Sequence, residues 1–78
     1  MKTLYLYTSL GCHLCEQAKE IVEPLLPTYQ LVLKEVEIAE CDELLERYGV
    51  RIPVVRLEGR LDELGWPFDA SGLAQYLG

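Results

Sequence analysis

The stretch Thr3-Leu4-Tyr5-Leu6-Tyr7-Thr8-Ser9-Leu10-Gly11-Cys12-His13-Leu14-Cys15 decides the fold. Thr3 to Thr8 is rich in strand formers and reads as a strand. Ser9-Leu10-Gly11 reads as a turn, and a helix is expected to begin close to Cys12. Leu14, Ala18, Ile21, Val22, Leu25 and Leu26 then recur at helical spacing along one stripe. Glu16 and Glu20 sit early in that helix, where its dipole favours acids. Pro24 interrupts the pattern, because an interior proline removes a backbone donor and crowds the preceding turn. The helix is therefore expected to bend or loosen there and to end by Pro27.

A cysteine pair at this place carries a specific chemistry. Cys12, in the first turn, meets unpaired backbone N–H groups and the positive end of the helix dipole. Both stabilise a thiolate, which is the attacking species in thiol exchange. Cys15, one turn on, is expected to be more buried and to serve as the resolving thiol that attacks a mixed disulfide and releases product. The spacing brings the two sulfurs within bonding reach, so the pair reads as a dithiol/disulfide couple. His13 reads as a neutral, solvent-facing side chain, since a helix N-terminus disfavours a charged imidazole; help with proton transfer is the alternative. Cys41 reads as a half-buried small apolar residue with no motif partner.

Beyond the first helix, Leu31 to Ile38 reads as a second strand with an irregularity around Lys34-Glu35. Cys41-Asp42 opens a short helix with Leu44, Leu45 and Tyr48 on its inner face, ended by Gly49. Pro53 to Leu57 is a third strand, Glu58-Gly59 a tight hairpin turn, and Arg60 to Leu64 a fourth strand. Asp69 caps a last helix carrying Leu73, Tyr76 and Leu77. The order β-α-β-α-β-β-α predicts an α/β fold with a four-stranded mixed sheet and helices on both faces. Its first strand–helix–strand unit requires a parallel, right-handed crossover. The 78 residues allow one domain, residues 1–78, and a chain this short buries only about 60–65% of the surface its unfolded form exposes.

Two motifs together carry a family resemblance. Gly11-Cys12-His13-Leu14-Cys15 follows a strand, and Arg51-Ile52-Pro53-Val54 precedes a hairpin, as in glutaredoxin-type thioredoxin folds. The chain most resembles a small glutaredoxin-like bacterial family with a Cys-His-Leu-Cys motif and a Trp-Pro-Phe-Asp run before the last helix, here Trp66-Pro67-Phe68-Asp69. The resemblance spans essentially the whole sequence. It implies a thiol–disulfide oxidoreductase acting on a protein or small-molecule disulfide, with Cys12 as nucleophile and Cys15 as resolving cysteine. It also implies a cis-proline at Pro53 facing the thiols, where the missing N–H leaves the thiolate unobstructed. The backbone of Ile52 would then pair with an extended substrate, as in strand addition. Trp66 is the candidate substrate-facing aromatic, with a core role as its alternative, the default for a large aromatic such as Phe68.

The departures from that family bear on specificity. Typical glutaredoxins carry a basic residue where Ser9 stands, and a Gly-Gly pair where Gly65-Trp66 stands, which helps hold the carboxylate of glutathione. Arg51 reads as a solvated surface residue rather than a replacement anchor. Glutathione is therefore not expected to be an efficient electron donor, and no resident cofactor is assigned. The expected partner is a disulfide-containing protein or a small thiol.

Charge and composition exclude other classes. Seven Lys and Arg stand against 13 Asp and Glu, for a net charge of −6. The acids are scattered and no basic run exists, so nucleic acid and anionic membrane surfaces are not expected partners. Leu4 to Tyr7 falls short of the roughly 7–15 residues of a secretory apolar segment. No apolar run approaches the roughly 20 residues that span a bilayer. A cytoplasmic monomer is expected. Three cysteines do not make a structural disulfide framework, which leaves thiol chemistry or metal binding for the close pair. Zinc held by Cys12, His13, Cys15 and Cys41, or an iron–sulfur cluster shared between two copies, is one alternative. Against it, neighbouring Cys and His side chains cannot easily both ligate one ion from a helix start, and a second Cys-x-x-Cys is missing; no metal ligands are assigned. A non-catalytic binding module, docking through Trp66 and the Ile52 edge, is the other.

Overall fold

The structure, a computed structural model, describes residues 1–78. Strand β1 (Lys2–Thr8) leads into helix α1 (His13–Val22) and a single 3-10 turn at Glu23–Leu25; β2 (Leu31–Glu37) follows. A second 3-10 turn, Ile38–Glu40, precedes α2 (Asp42–Tyr48), then come β3 (Val54–Leu57), β4 (Leu64–Gly65) and α3 (Ala70–Leu77). The sheet order is β2-β1-β3-β4, with β1 parallel to β2, antiparallel to β3, and β3 antiparallel to β4. This is the predicted mixed sheet, and no helix is long and apolar enough to cross a membrane.

Period-two alternation along the strands builds two separate cores. Leu4 and Leu6 of β1, Leu31 of β2, and Val55 and Leu57 of β3 face one side, where they meet Ala18 and Val22 of α1 and Leu73 of α3. Tyr7, Val54 and Ile38 face the other side and meet Tyr48 of α2. Each fully buried Leu, Val or Ile in these layers contributes about 1.5–3 kcal/mol.

Four local expectations are corrected. The inward line of α1 runs through Cys15, Ala18 and Val22, so Leu14 falls on its flank and stays 45% exposed. In α2, Tyr48 is buried and Leu44 half-buried, whereas Leu45 is exposed, because a seven-residue helix turns only a narrow face to the sheet. Strand β2 is regular, paired residue for residue from Lys2↔Leu31 to Thr8↔Glu37. What looks irregular in its sequence is a change of face. Leu31 and Leu33 serve the first core, and Val36 and Ile38 serve the second. Around Pro24 the α-helix does give way, to the 3-10 turn, and the next strand begins after Gln30.

The fourth correction concerns the hairpin. Arg60 to Glu63 is not strand; only Leu64 and Gly65 pair, with Val55 and Val54. The reason lies in α3. The Tyr76 hydroxyl accepts from the Leu57 N–H at 3.0 Å and donates to the Asp62 carbonyl at 2.7 Å. Arg60 lies over the Tyr76 ring and donates to the Tyr76 carbonyl and the Asp62 carboxylate. That pairing holds the Asp62 carboxyl below its usual range. A side chain thus takes the hydrogen bonds that a longer hairpin would have used. Replacing Tyr76 with Phe leaves the buried Leu57 N–H without an acceptor. The expected loss is about 2 kcal/mol, seen as a fall in melting temperature of roughly 8–16 °C for a domain of this size. Unchanged thermal unfolding by circular dichroism would refute this role.

Candidate redox site

The site forms where β1 ends. Gly11, at φ +76°, makes the reversal that few other residues adopt without strain, and Cys12 N–H donates to the Ser9 carbonyl across the turn at 3.3 Å. Cys12 is the N-cap of α1, with extended backbone, and its Sγ accepts from the Cys15 N–H at 3.1 Å. Sulfur here occupies the place usually held by a serine or aspartate oxygen. A thiolate at this point receives a charge-assisted hydrogen bond as well as the helix dipole. Cys12 and Cys15 are joined by a disulfide with Cα atoms 5.3 Å apart. Cys15 is only 3% exposed, whereas Cys12 is half-buried.

A shallow groove of about 220 Å³ runs beside the disulfide, lined by Thr8 to Cys12 and by Cys15, Glu16, Lys19 and Glu35. Lys19 reaches Glu35 across it at 3.5 Å. Neither residue was singled out from sequence. The available signal was spacing: Lys19 lies one helical turn after Cys15, and Glu35 occupies the core-facing register of β2 at the point where its apolar residues change face. A larger groove of about 380 Å³, lined by Met1, Tyr29, Leu31, Leu57 and Leu77 among others, opens at the opposite end of the sheet and contains no cysteine.

His13 is solvent-facing, with a side chain 91% exposed and the Glu16 carboxylate at 3.8 Å. Cys41 carries no disulfide and caps α2 only through its backbone, on the other side of the sheet from α1. No three His, Cys, Asp or Glu side chains are clustered so as to hold a metal ion.

Sheet register gathers the remaining candidates at the same end of the sheet. Val54 pairs with Tyr7, so Pro53 stands beside the end of β1 from which the turn to Cys12 departs. Pro53 is buried, and both its bond to Ile52 and the Trp66–Pro67 bond are cis. The Trp66 N–H donates to the Pro53 carbonyl at 3.0 Å. Trp66 is half-buried, edge-on to Phe68 with centroids 5.2 Å apart, and packs against the first core; Phe68 is buried in it. The Ile52 N–H already donates to the Tyr48 carbonyl at 3.2 Å, and the Ile52 carbonyl itself accepts from no backbone N–H. Arg51 is not a free cation: it lies 3.6 Å from the Glu63 carboxylate.

Tyr48 supports this end of the sheet from below. It is 2% exposed, stacks on Tyr7 at 4.3 Å, and donates its phenolic hydrogen to Glu63. Burial, reinforced by that bond, pushes its pKa up to about 12.

A small four-stranded mixed sheet with a Cys-x-x-Cys disulfide at the start of its first helix defines a thioredoxin-like fold with a redox-type cysteine pair. The chain belongs to the glutaredoxin-like domain family (DUF836), whose profile matches residues 3–78. It is similar to the crystal structure of protein XcR50 from X. campestris, with 40% identity and a TM-score of 0.77 over 95% of this chain and 93% of that one. It is also similar to the solution structure of protein Ne2328 from Nitrosomonas europaea, with 26% identity and a TM-score of 0.84 over 99% of this chain and 92% of that one. A malarial protein shares the fold at 15% identity, with a TM-score of 0.70 over 96% of this chain and 91% of that one.

Two outcomes follow from the geometry. Once reduced, Cys12 is expected to alkylate before Cys15 and Cys41, as peptide mapping by mass spectrometry can read; first labelling elsewhere would reassign the nucleophile. For Tyr48, the unfolded chain releases the phenolic proton near pH 10 and the folded chain near 12, so the folded state binds more protons in between. Stability should therefore fall as pH rises from 10 to 12, and denaturant unfolding of Tyr48→Phe should show a shallower fall than wild type.

Proposed function

We propose that this protein is a thiol–disulfide oxidoreductase in which Cys12 is the nucleophile and Cys15 the resolving cysteine. The observation that carries the reading is Cys12 at the N-cap of α1, its sulfur accepting the Cys15 N–H and bonded to the buried Cys15 sulfur. In the reduced protein the Cys12 thiolate attacks one sulfur of a substrate disulfide. The substrate S–S bond breaks, a mixed disulfide forms, and one substrate thiolate leaves and takes a proton. Cys15 then loses its proton and attacks the Cys12 sulfur, which expels the second substrate thiolate and forms the Cys12–Cys15 bond. Two electrons and two protons pass to the substrate, and an external dithiol returns the protein to its reduced state.

Ile52, Pro53 and Trp66 form the substrate rest in this reading. The unpartnered Ile52 carbonyl offers one backbone acceptor to an extended segment, and the proline presents no competing donor. A disulfide-containing protein or a small thiol, met by the monomer in the cytoplasm, is the partner. The groove sets two carboxylates, Glu16 and Glu35, against the one ammonium of Lys19, while Arg51 is engaged by Glu63. This balance, with Ser9 and Trp66 at the positions where glutathione-using relatives place a basic residue and a glycine, disfavours an anionic tripeptide. Losing one charge-assisted hydrogen bond weakens such binding roughly ten- to a hundredfold.

The wild type is expected to reduce a protein disulfide with a dithiol donor and to turn over poorly with glutathione, and Cys12→Ser to abolish both reactions. Ser9→Lys combined with Trp66→Gly should raise the glutathione rate about tenfold. Brisk wild-type turnover with glutathione alone would overturn the specificity, and absence of any disulfide reduction would overturn the function.

A further inference from the structure

The side chains beneath the Ile52–Pro53 segment form a linked polar chain that the thiol chemistry does not use. Glu63, in the connection leading to β4, is only 12% exposed. One of its carboxylate oxygens accepts from the Tyr48 hydroxyl, and the other lies 3.6 Å from Arg51 Nη2. A carboxylate this covered is costly unless paired, and these two groups supply the pairing. Tyr48 is itself immobilised between the sheet and α2 by its stack on Tyr7. Its carbonyl accepts from both the Arg51 N–H at 2.8 Å and the Ile52 N–H at 3.2 Å. The two residues before Pro53 are thus tied to Tyr48 through the backbone, and Arg51 is tied a second time through Glu63.

We propose that Glu63 is a positioning residue: by holding the Tyr48 phenol and the Arg51 guanidinium together, it sets where the Ile52 carbonyl and Pro53 stand at the cysteine end of the sheet. This rests on the reading above, in which that edge receives the substrate. Arg47 also lies over the Tyr48 ring but faces it rather than the carboxylate, so Arg51 is the cation that closes the tie.

Two variants separate the tie from general folding. Glu63→Gln keeps an acceptor for the Tyr48 hydroxyl but removes the charge that holds Arg51. Arg51→Met removes the other partner, which is half-exposed. Hydrogen–deuterium exchange at the Arg51 and Ile52 amides, and KM for a disulfide-containing protein, should each rise about threefold in either variant, in the range of a partly exposed ion pair. The double variant should be no worse than either single one, because both remove the same contact. The alkylation rate of reduced Cys12 should stay unchanged, which separates positioning of substrate from activation of the thiolate. Unchanged amide exchange in both variants overturns the proposal, as do effects that multiply in the double variant or a parallel loss of Cys12 reactivity. Accelerated exchange in the two variants, together with a wild type that reduces no disulfide, would support the tie and count against the redox reading alone.

Discussion

Strand β1 is apolar on both faces, and most of the architecture answers that constraint. Leu4 and Leu6 point to one side and Tyr5 and Tyr7 to the other. A strand of this kind must lie inside a sheet and be covered from above and below. The chain meets the first demand with β2 and β3 on its two edges, and the second with α1 and α3 on one face and α2 on the opposite one. The two cores are unequal. The short α2 covers only the half of its face that holds Tyr7, Val54 and Val36, and Tyr48 provides most of that cover.

The same strand delivers the cysteines. Because β1 is central, the turn that leaves its end opens beside the start of β3 and the end of β4, so Pro53 and Trp66 arrive at the cysteine end from elements distant in sequence. The helix that follows is anchored by Ala18 and Val22, with no exposure at all. This rigid seat fixes the N-terminus, and with it the N–H groups and dipole that act on Cys12. The Cys12 sulfur therefore sits at an exposed turn, while the groups that act on it are held in place by buried apolar contacts about two and three turns away.

Side-chain hydroxyls do unusual structural service for so short a chain. Tyr76 captures the Leu57 N–H and ends the hairpin early, and Tyr48 pairs with Glu63 under the cis-proline segment. In both cases the ring packs against a core while its polar tip bonds a largely covered polar group, the Leu57 N–H or the Glu63 carboxylate. A sequence reading counts such tyrosines as inward apolar residues and has no way to know which distant donor or carboxylate the hydroxyl will meet.

Sequence by itself determined the element order, the mixed four-stranded sheet and the placing of Cys12 and Cys15 at a helix start, because these follow from local periodicity, turn residues and capping. The family membership was likewise legible from the Gly11–Cys15 and Arg51–Val54 motifs. Tertiary structure decided the rest: the change of face within β2, the early end of the hairpin, Lys19 and Glu35 beside the disulfide, and the union of Arg51, Tyr48 and Glu63. The reason is that these depend on which long-range partner reaches a polar atom first. Periodicity records whether a residue faces inward, but it carries no information about what will be waiting there.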